Sequence, residues 1–257
     1  MADQAIQGVL FDVDGVLHVD GVAIPGAVEA LADLRARGVP FRLLTNTTVR
    51  SRWALGALLR DLGFDVADDD VITAGGATAE YVRRNFPGQP VFLLGSGDVA
   101  AEFEGVELTD GPGAGVVVIG DAAENFDYQT MNHAFRLLLG GAKLVAMHRD
   151  PWWMTSSGPT IDAGAFIRGL EFASGTRSRL VGKPAMPFFR AGFRALGLPP
   201  AVTAMVGDSI AHDLVPAMRM GATGVLVRTG KFLDIDLQYG TPDISLASVA
   251  ELGELWE

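Results

Sequence analysis

The chain has 257 residues, of which 49% are hydrophobic, and a formal net charge of −11. That apolar content can fill one large α/β domain or two smaller ones. The acidic balance, with no stripe of clustered Lys and Arg, argues against a nucleic-acid partner. The absence of cysteine excludes disulfides, thiolate catalysis and Cys-based zinc sites. There is neither a run of roughly 18 apolar residues nor a basic N-terminus leading into an apolar stretch, so no membrane span or secretory signal is expected and the default location is cytoplasmic.

The first element is the apolar run 8–11, which ends in Asp12-Val13-Asp14-Gly15. Residues i and i+2 of a strand point the same way, so the two carboxylates start from one side of the strand end, and Gly15 lets the chain turn sharply beyond them. Such a pair suits a divalent cation next to an anionic substrate. A helical pattern over 27–34 is closed by Gly38, and the strand-like run 41–44 then ends in Thr45-Asn46-Thr47-Thr48. Residues 50–62 read as a helix with Leu55, Leu58, Leu59 and Leu62 on one face and Gly63 as its stop; residues 71–74 read as a short buried strand.

The stretch that follows is far longer than a crossover requires and carries its own pattern. Strands are expected over 91–94, 116–119 and 143–147, and helices over 128–139 and 164–173. Gly95-Ser96-Gly97 reads as a turn. The segment 148–153, His-Arg-Asp-Pro-Trp-Trp, reads as a loop presenting two adjacent tryptophans, either to a substrate or to the interior; Thr160-Ile161-Asp162-Ala163-Gly164 precedes a helix. Beyond it, Leu180-Val181-Gly182 ends in Lys183-Pro184. A helix over 187–196 follows, and then a strand over 202–206 leading into Gly207 and Asp208, with Asp213 five residues on. A helix over 214–220 and a strand over 224–227 complete the pattern.

This alternation predicts an α/β fold, a doubly wound Rossmann-like parallel sheet with a large inserted α/β cap domain. The core comprises residues 1–78 and 180–257 and the cap 79–179. In such sheets functional loops gather at the carboxyl ends of the strands, which is where all four polar motifs fall. Lys183 stands out further because the chain uses only three lysines against seventeen arginines. A compact ammonium can touch both a phosphoryl group and a carboxylate, where a planar guanidinium is too bulky. His18, His133, His148 and His212 lack metal-ligand spacing and read as structural or solvated.

The four motifs in this order resemble those of the haloacid dehalogenase superfamily of phosphotransferases, in the NagD-like branch (subfamily IIA) with a C2-type cap between the second and third motifs. Asp12-Val13-Asp14-Gly15 is similar to the first motif, Thr45 to the second, Lys183 to the third, and Asp208 with Asp213 to the fourth. Residues 45–48, 126–139 and 228–231 resemble the group containing phospholysine/phosphohistidine/inorganic pyrophosphate phosphatase. A more distant likeness runs to pyridoxal phosphate phosphatase. Ser209 and His212 depart from the residues common in the fourth motif, which bears on fine positioning and leaves the carboxylates intact.

The expected activity is Mg²⁺-dependent hydrolysis of a small phosphorylated metabolite, with Asp12 as nucleophile and Asp14 as general acid and base. Mg²⁺ would be held by the Asp12 side chain, the Asp14 carbonyl and Asp208, with Asp213 orienting waters or Lys183. Thr45 and the Asn46 amide would donate to phosphoryl oxygens. The resemblance places substrate specificity in the cap, at Trp152, Trp153 and Asp162. A phosphotransferase or mutase using the same intermediate remains open, as does a homo-oligomer. A receiver-like signalling domain shares the acidic cluster, Thr and Lys, but lacks both a large insertion and the second carboxylate.

Overall fold

The computed structural model describes residues 5–155 and 158–256, which divide into two compact units. The first comprises residues 1–45, 53–72 and 183–257, and the second residues 46–52 and 73–182.

The first unit is built on a six-stranded sheet in the order Ile244–Leu246, Thr223–Val227, Thr203–Gly207, Gly8–Phe11, Phe41–Thr45, Val71–Thr73. The first five run parallel, with Gly8–Phe11 central between Thr203–Gly207 and Phe41–Thr45. Every residue of Gly8–Phe11 is buried, as befits a parallel strand covered on both faces. The helix Ala27–Ala36 turns Ala27, Leu31 and Leu34 inward at helical spacing. The helix Met186–Leu196, with Pro187 in its first turn, buries Phe188, Phe189, Phe193 and Leu196. Its Gly192 lets the backbone approach so closely that a Cβ there would meet Leu44 Cδ2 at 2.9 Å. Arg52–Asp61 is the helix expected over 50–62, and it buries Leu55 and Leu59.

The second unit has its own four-stranded parallel sheet in the order Arg179–Leu180, Lys143–Ala146, Val116–Ile119, Val91–Leu94. On one face Phe92, Val117, Ile119 and Leu144 pack with Leu137 and Ile167 of the helices Tyr128–Leu139 and Ala163–Ser174. On the other, Val91, Val116, Val118 and Val145 pack with Val82 and Phe103. No helix among the described residues is long and apolar enough to cross a membrane.

Three local expectations are corrected. Residues 71–74 are not all strand. Thr73 caps a helix, Ala74–Asn85, by accepting from the Gly76 amide at 2.9 Å. Trp152 and Trp153 lie in a strand rather than a loop, because Trp152–Thr155 pairs antiparallel with Gly158–Ile161 as a hairpin. Both are about half exposed, at 56% and 49%, so neither packs the interior of its unit. The expected helix 214–220 is shortened to Val215–Met218, because a wide π-type turn over Ile210–Leu214 takes up the chain after Asp208.

Candidate active site

In the first unit the ends of three strands, Gly8–Phe11, Phe41–Thr45 and Thr203–Gly207, bring Asp12, Asp14, Thr45, Asp208 and Asp213 together with Lys183, which opens the last segment of that unit and follows a strand of the second sheet, Arg179–Leu180, where the sequence suggested a strand of the first. The Lys183 ammonium is the hub. It is 4% exposed and donates to Asp12 Oδ1 at 2.6 Å and to Asp213 Oδ1 at 2.7 Å. Burial alone would lower its pKa, but the two carboxylates outweigh that and hold it above the ordinary lysine range. Asp12 Oδ1 also accepts from the Val13 amide at 2.8 Å. Asp213 is held on its other oxygen by the Ser209 amide at 3.2 Å, while its own amide donates to the Ser209 carbonyl at 2.9 Å. Ser209 Oγ accepts from the His212 amide at 3.3 Å. The wide turn thus explains the spacing of five from Asp208 to Asp213: it swings Asp213 back under the strand end, onto Lys183.

Asp208 sits deepest in the remaining charge. It is 1% exposed, and its Oδ1 has no hydrogen-bond partner among the described residues. Burial pushes its carboxyl up, the Lys231 ammonium opposes this, and the neighbouring Asp12 and Asp213 carboxylates add to the rise, bringing it to about 7. Asp213 is raised for the same leading reason. Carboxylate oxygens of Asp12, Asp208 and Asp213 all lie within 4.8 Å of one another. Asp14 stands at the rim with its side chain 66% exposed, its Oδ2 accepting from Thr45 Oγ1 at 3.3 Å and its Oδ1 3.8 Å from His18 Nε2.

Residues 229–231 complete the enclosure and had no assigned role in the sequence. The Lys231 amide donates to Asp208 Oδ2 at 2.8 Å, its ammonium lies 3.8 Å from Oδ1, and Thr229 Oγ1 donates to the Gly15 carbonyl at 2.6 Å. A Cβ on Gly230 would meet Asp208 Oδ2 at 2.2 Å and Gly15 Cα at 2.6 Å; one on Gly15 would meet Asp208 Oδ2 at 2.3 Å. Both glycines have positive φ, so no side chain fits here on either count. The signal was present: Lys231 is one of only three lysines, and it follows the end of the strand Thr223–Val227 just as the other motifs follow theirs.

Four carboxylates, of Asp12, Asp14, Asp208 and Asp213, thus face two ammonium groups, of Lys183 and Lys231. With one buried oxygen left without a donor, the set fits a divalent cation with oxygen preference. It also fits a transferable phosphoryl group, which needs cationic and N–H or O–H donors around a carboxylate nucleophile.

The remaining expected site residues belong to the second unit. Asn46 follows Thr45 directly in the chain, and a Cβ on Gly182 would meet its Oδ1 at 2.7 Å. Trp152 and Trp153 lie on the exposed hairpin. Asp162 is 8% exposed and caps the helix Ala163–Ser174, its Oδ1 accepting from the Ala163 amide at 2.6 Å. At the foot of the same hairpin His148 Nδ1 lies 3.4 Å from Asp150 Oδ2 and Nε2 3.6 Å from Asp162 Oδ1. His148 Nδ1 also accepts from the Asp150 amide at 3.3 Å, and one ligand atom from each of His148, Asp150 and Asp162 lies within 4.8 Å of the others. Burial would lower the His148 pKa, but Asp150, Asp162 and Asp121 together raise it.

Comparison with known proteins gives a consistent result. A haloacid dehalogenase-like hydrolase family profile matches residues 9–109, and a HAD-hydrolase-like profile matches residues 180–252. The chain is 39% identical over 233 residues to haloacid dehalogenase-like hydrolase domain-containing protein 2 of Bos taurus, covering 91% of this chain and 88% of that protein. It is 35% identical to phospholysine phosphohistidine inorganic pyrophosphate phosphatase of Homo sapiens, covering 90% and 86%. Among solved structures, p-nitrophenyl phosphatase from Archaeoglobus fulgidus superposes with a TM-score of 0.91 at 30% identity, covering 97% of this chain and 99% of that one. NagD from E. coli K-12 superposes with a TM-score of 0.87 at 29% identity, covering 96% and 98%.

Proposed function

Because the chain belongs to the haloacid dehalogenase-like hydrolases and is a phosphatase of their NagD-like branch, we propose that it hydrolyses small phosphate monoesters through a phosphoryl group carried on Asp12. The observation that carries this reading is the Lys183 ammonium bridging Asp12 and Asp213, with Asp208 behind them. Both donors to Asp12 fall on Oδ1, which leaves Oδ2 to attack phosphorus. As that bond forms, the bond from phosphorus to the leaving oxygen breaks, and Asp14 delivers its proton to that oxygen. Water then attacks phosphorus, Asp14 takes its proton, and inorganic phosphate leaves with Asp12 restored.

Asp12, Asp208 and the Asp14 carbonyl would hold Mg²⁺, a role supported by the unpartnered Asp208 oxygen and the excess of negative charge. When bound, Mg²⁺ neutralises charge on the transferring phosphoryl group. The Lys183 ammonium, donating to Asp12, would also face that charge, while Asp213 holds Lys183 in place. The Thr45 hydroxyl and the Asn46 amide donate to phosphoryl oxygens. Leaving-group preference is assigned to Trp152 and Trp153, with Asp162 fixing the foot of their hairpin.

The test is release of phosphate from p-nitrophenyl phosphate and from a panel of phosphorylated metabolites, with and without Mg²⁺. EDTA should abolish turnover, and so should Asp12→Asn. Full activity in Asp12→Asn would remove the nucleophile from this scheme, and product carrying phosphate on an added alcohol would identify a transferase.

A further inference from the structure

His18 opens the two-residue strand His18–Val19 and is 3% exposed. Neither of its ring nitrogens has a hydrogen-bond partner among the described residues. An imidazole buried in this way forfeits the water bonds of both nitrogens, whereas a leucine would fill a similar volume without that loss. A purely structural role therefore leaves His18 unexplained.

The polar atom within its reach belongs to Asp14. His18 Nε2 stands 3.8 Å from Asp14 Oδ1, just beyond hydrogen-bonding distance. The histidine is fixed: its carbonyl accepts from the Gly15 amide at 2.8 Å, and it pairs with Ala23 in a short antiparallel ribbon. The carboxyl is not, because the Asp14 side chain is 66% exposed and is held only on Oδ2, by Thr45 at 3.3 Å. A rotation of Asp14 by under about 1 Å would bring Oδ1 onto the imidazole within ordinary N–H···O range.

We propose that His18 is a positioning residue for Asp14, donating from Nε2–H to Oδ1 in the reacting state and so aiming the carboxyl at the leaving oxygen once the single Thr45 hydroxyl proton has turned from Asp14 to the phosphoryl group. His18 keeps its own proton throughout; the proton that moves is the one Asp14 gives to the leaving group and later recovers from water. The His18 N–H faces a carboxyl on which negative charge appears as that proton departs, so its contribution grows along the reaction coordinate. The inference rests on the assignment of Asp14 as the acid and base.

The experiment compares phenyl phosphate, whose leaving oxygen needs a proton, with p-nitrophenyl phosphate, whose phenolate leaves without one. His18→Leu should lower kcat/KM, which reports the steps through departure of the leaving group, by about 10-fold or more for phenyl phosphate and by about 3-fold or less for p-nitrophenyl phosphate. His18→Gln, which restores an N–H donor, should recover most of the loss. In an Asp14→Asn background His18→Leu should cost no more than about a further 2-fold, since the two residues act as one unit. The urea midpoint of His18→Leu should equal or exceed that of the native chain, because two unsatisfied nitrogens are gone. Equal losses on both esters, no recovery with Gln, full additivity with Asp14→Asn, or a lowered urea midpoint would each overturn the proposal and make His18 a packing residue. If Asp14→Asn itself hydrolyses both esters like the native chain, the assignment of Asp14 falls first, and the role of His18 falls with it.

Discussion

Replacing Lys183 by methionine would remove the one ammonium that contacts both Asp12 and Asp213, at 2.6 and 2.7 Å, and leave a side chain of similar length in its place. Breaking a buried ion pair by deleting one partner typically costs about 3–5 kcal/mol. An independent route gives a similar figure. The orphaned site can relieve itself by taking up a proton, and neutralising at pH 7 a carboxyl that ordinarily ionises near about 4 costs on the order of 4 kcal/mol, at about 1.4 kcal/mol per pH unit. The sign follows directly. In Lys183→Met the folded carboxyl has a raised pKa, so its penalty grows as pH climbs above the unfolded value and shrinks as pH falls toward it. Urea unfolding of the native chain and of Lys183→Met, both in EDTA, should therefore differ by about 4 kcal/mol at pH 7 and by roughly 3 kcal/mol less at pH 5. A difference below about 1 kcal/mol at pH 7, or one that does not change with pH, would show that Lys183 does not neutralise this cluster.

Gly230→Ala should weaken Mg²⁺ binding by about 10-fold or more, as disturbance of groups supporting a metal ligand commonly does, because its Cβ would meet Asp208 Oδ2 at 2.2 Å; calorimetric titration with Mg²⁺ reads this without turnover. The pairing of His148 with Asp150 and Asp162 should stabilise the second unit most at acidic pH. With a folded-state pKa above the usual value, its contribution is complete below the ordinary histidine range and fades as pH rises through the folded value, so the stability gap between the native chain and His148→Gln should close toward pH 9. Trp153→Ala should change the ratio of kcat/KM between bulky and small phosphate esters by about 10-fold; an equal loss across the panel would assign Trp153 to folding of the hairpin alone.

Strands buried on both faces betray themselves as unbroken apolar runs, and Val91–Leu94 and Val116–Ile119 have the limits their sequences suggest. So does Tyr128–Leu139, bounded by Asp127 at its N-cap and Gly140-Gly141 beyond. The helix Ala74–Asn85 was hidden by its first turn. Gly75 and Gly76 are poor helix formers, and they are present because a Cβ on either would meet Val99 or the buried Glu102 carboxylate. Glu102 in turn accepts from the Arg52 amide and guanidinium and from Thr73 Oγ1, partners far from it in the chain. The acidic motifs of the site were legible because each closes a strand. Gly230, Lys231 and His18 were not, since their meaning lies in a close approach between loops from different strand ends. His148 read as an isolated histidine, for although Asp150 is close to it in the chain, Asp162 becomes its neighbour only when the hairpin folds back.

The central strand Gly8–Phe11 hydrogen-bonds to Thr203–Gly207, and Asp12 meets Lys183 across a sequence separation of 171 residues. During synthesis, then, the first unit emerges with its middle strand exposed along one edge until nearly the whole chain has been made. Residues 73–182, by contrast, are contiguous and contain all the strands of the second sheet, so this unit can fold as soon as it leaves the ribosome. Asp12 is among the first residues made and the last to acquire its surroundings. A chain released before the strand Thr203–Gly207 would carry a finished second unit, an unpaired strand edge and no assembled acidic cluster, leaving it prone to aggregation and without the charge arrangement needed to act on a phosphate ester.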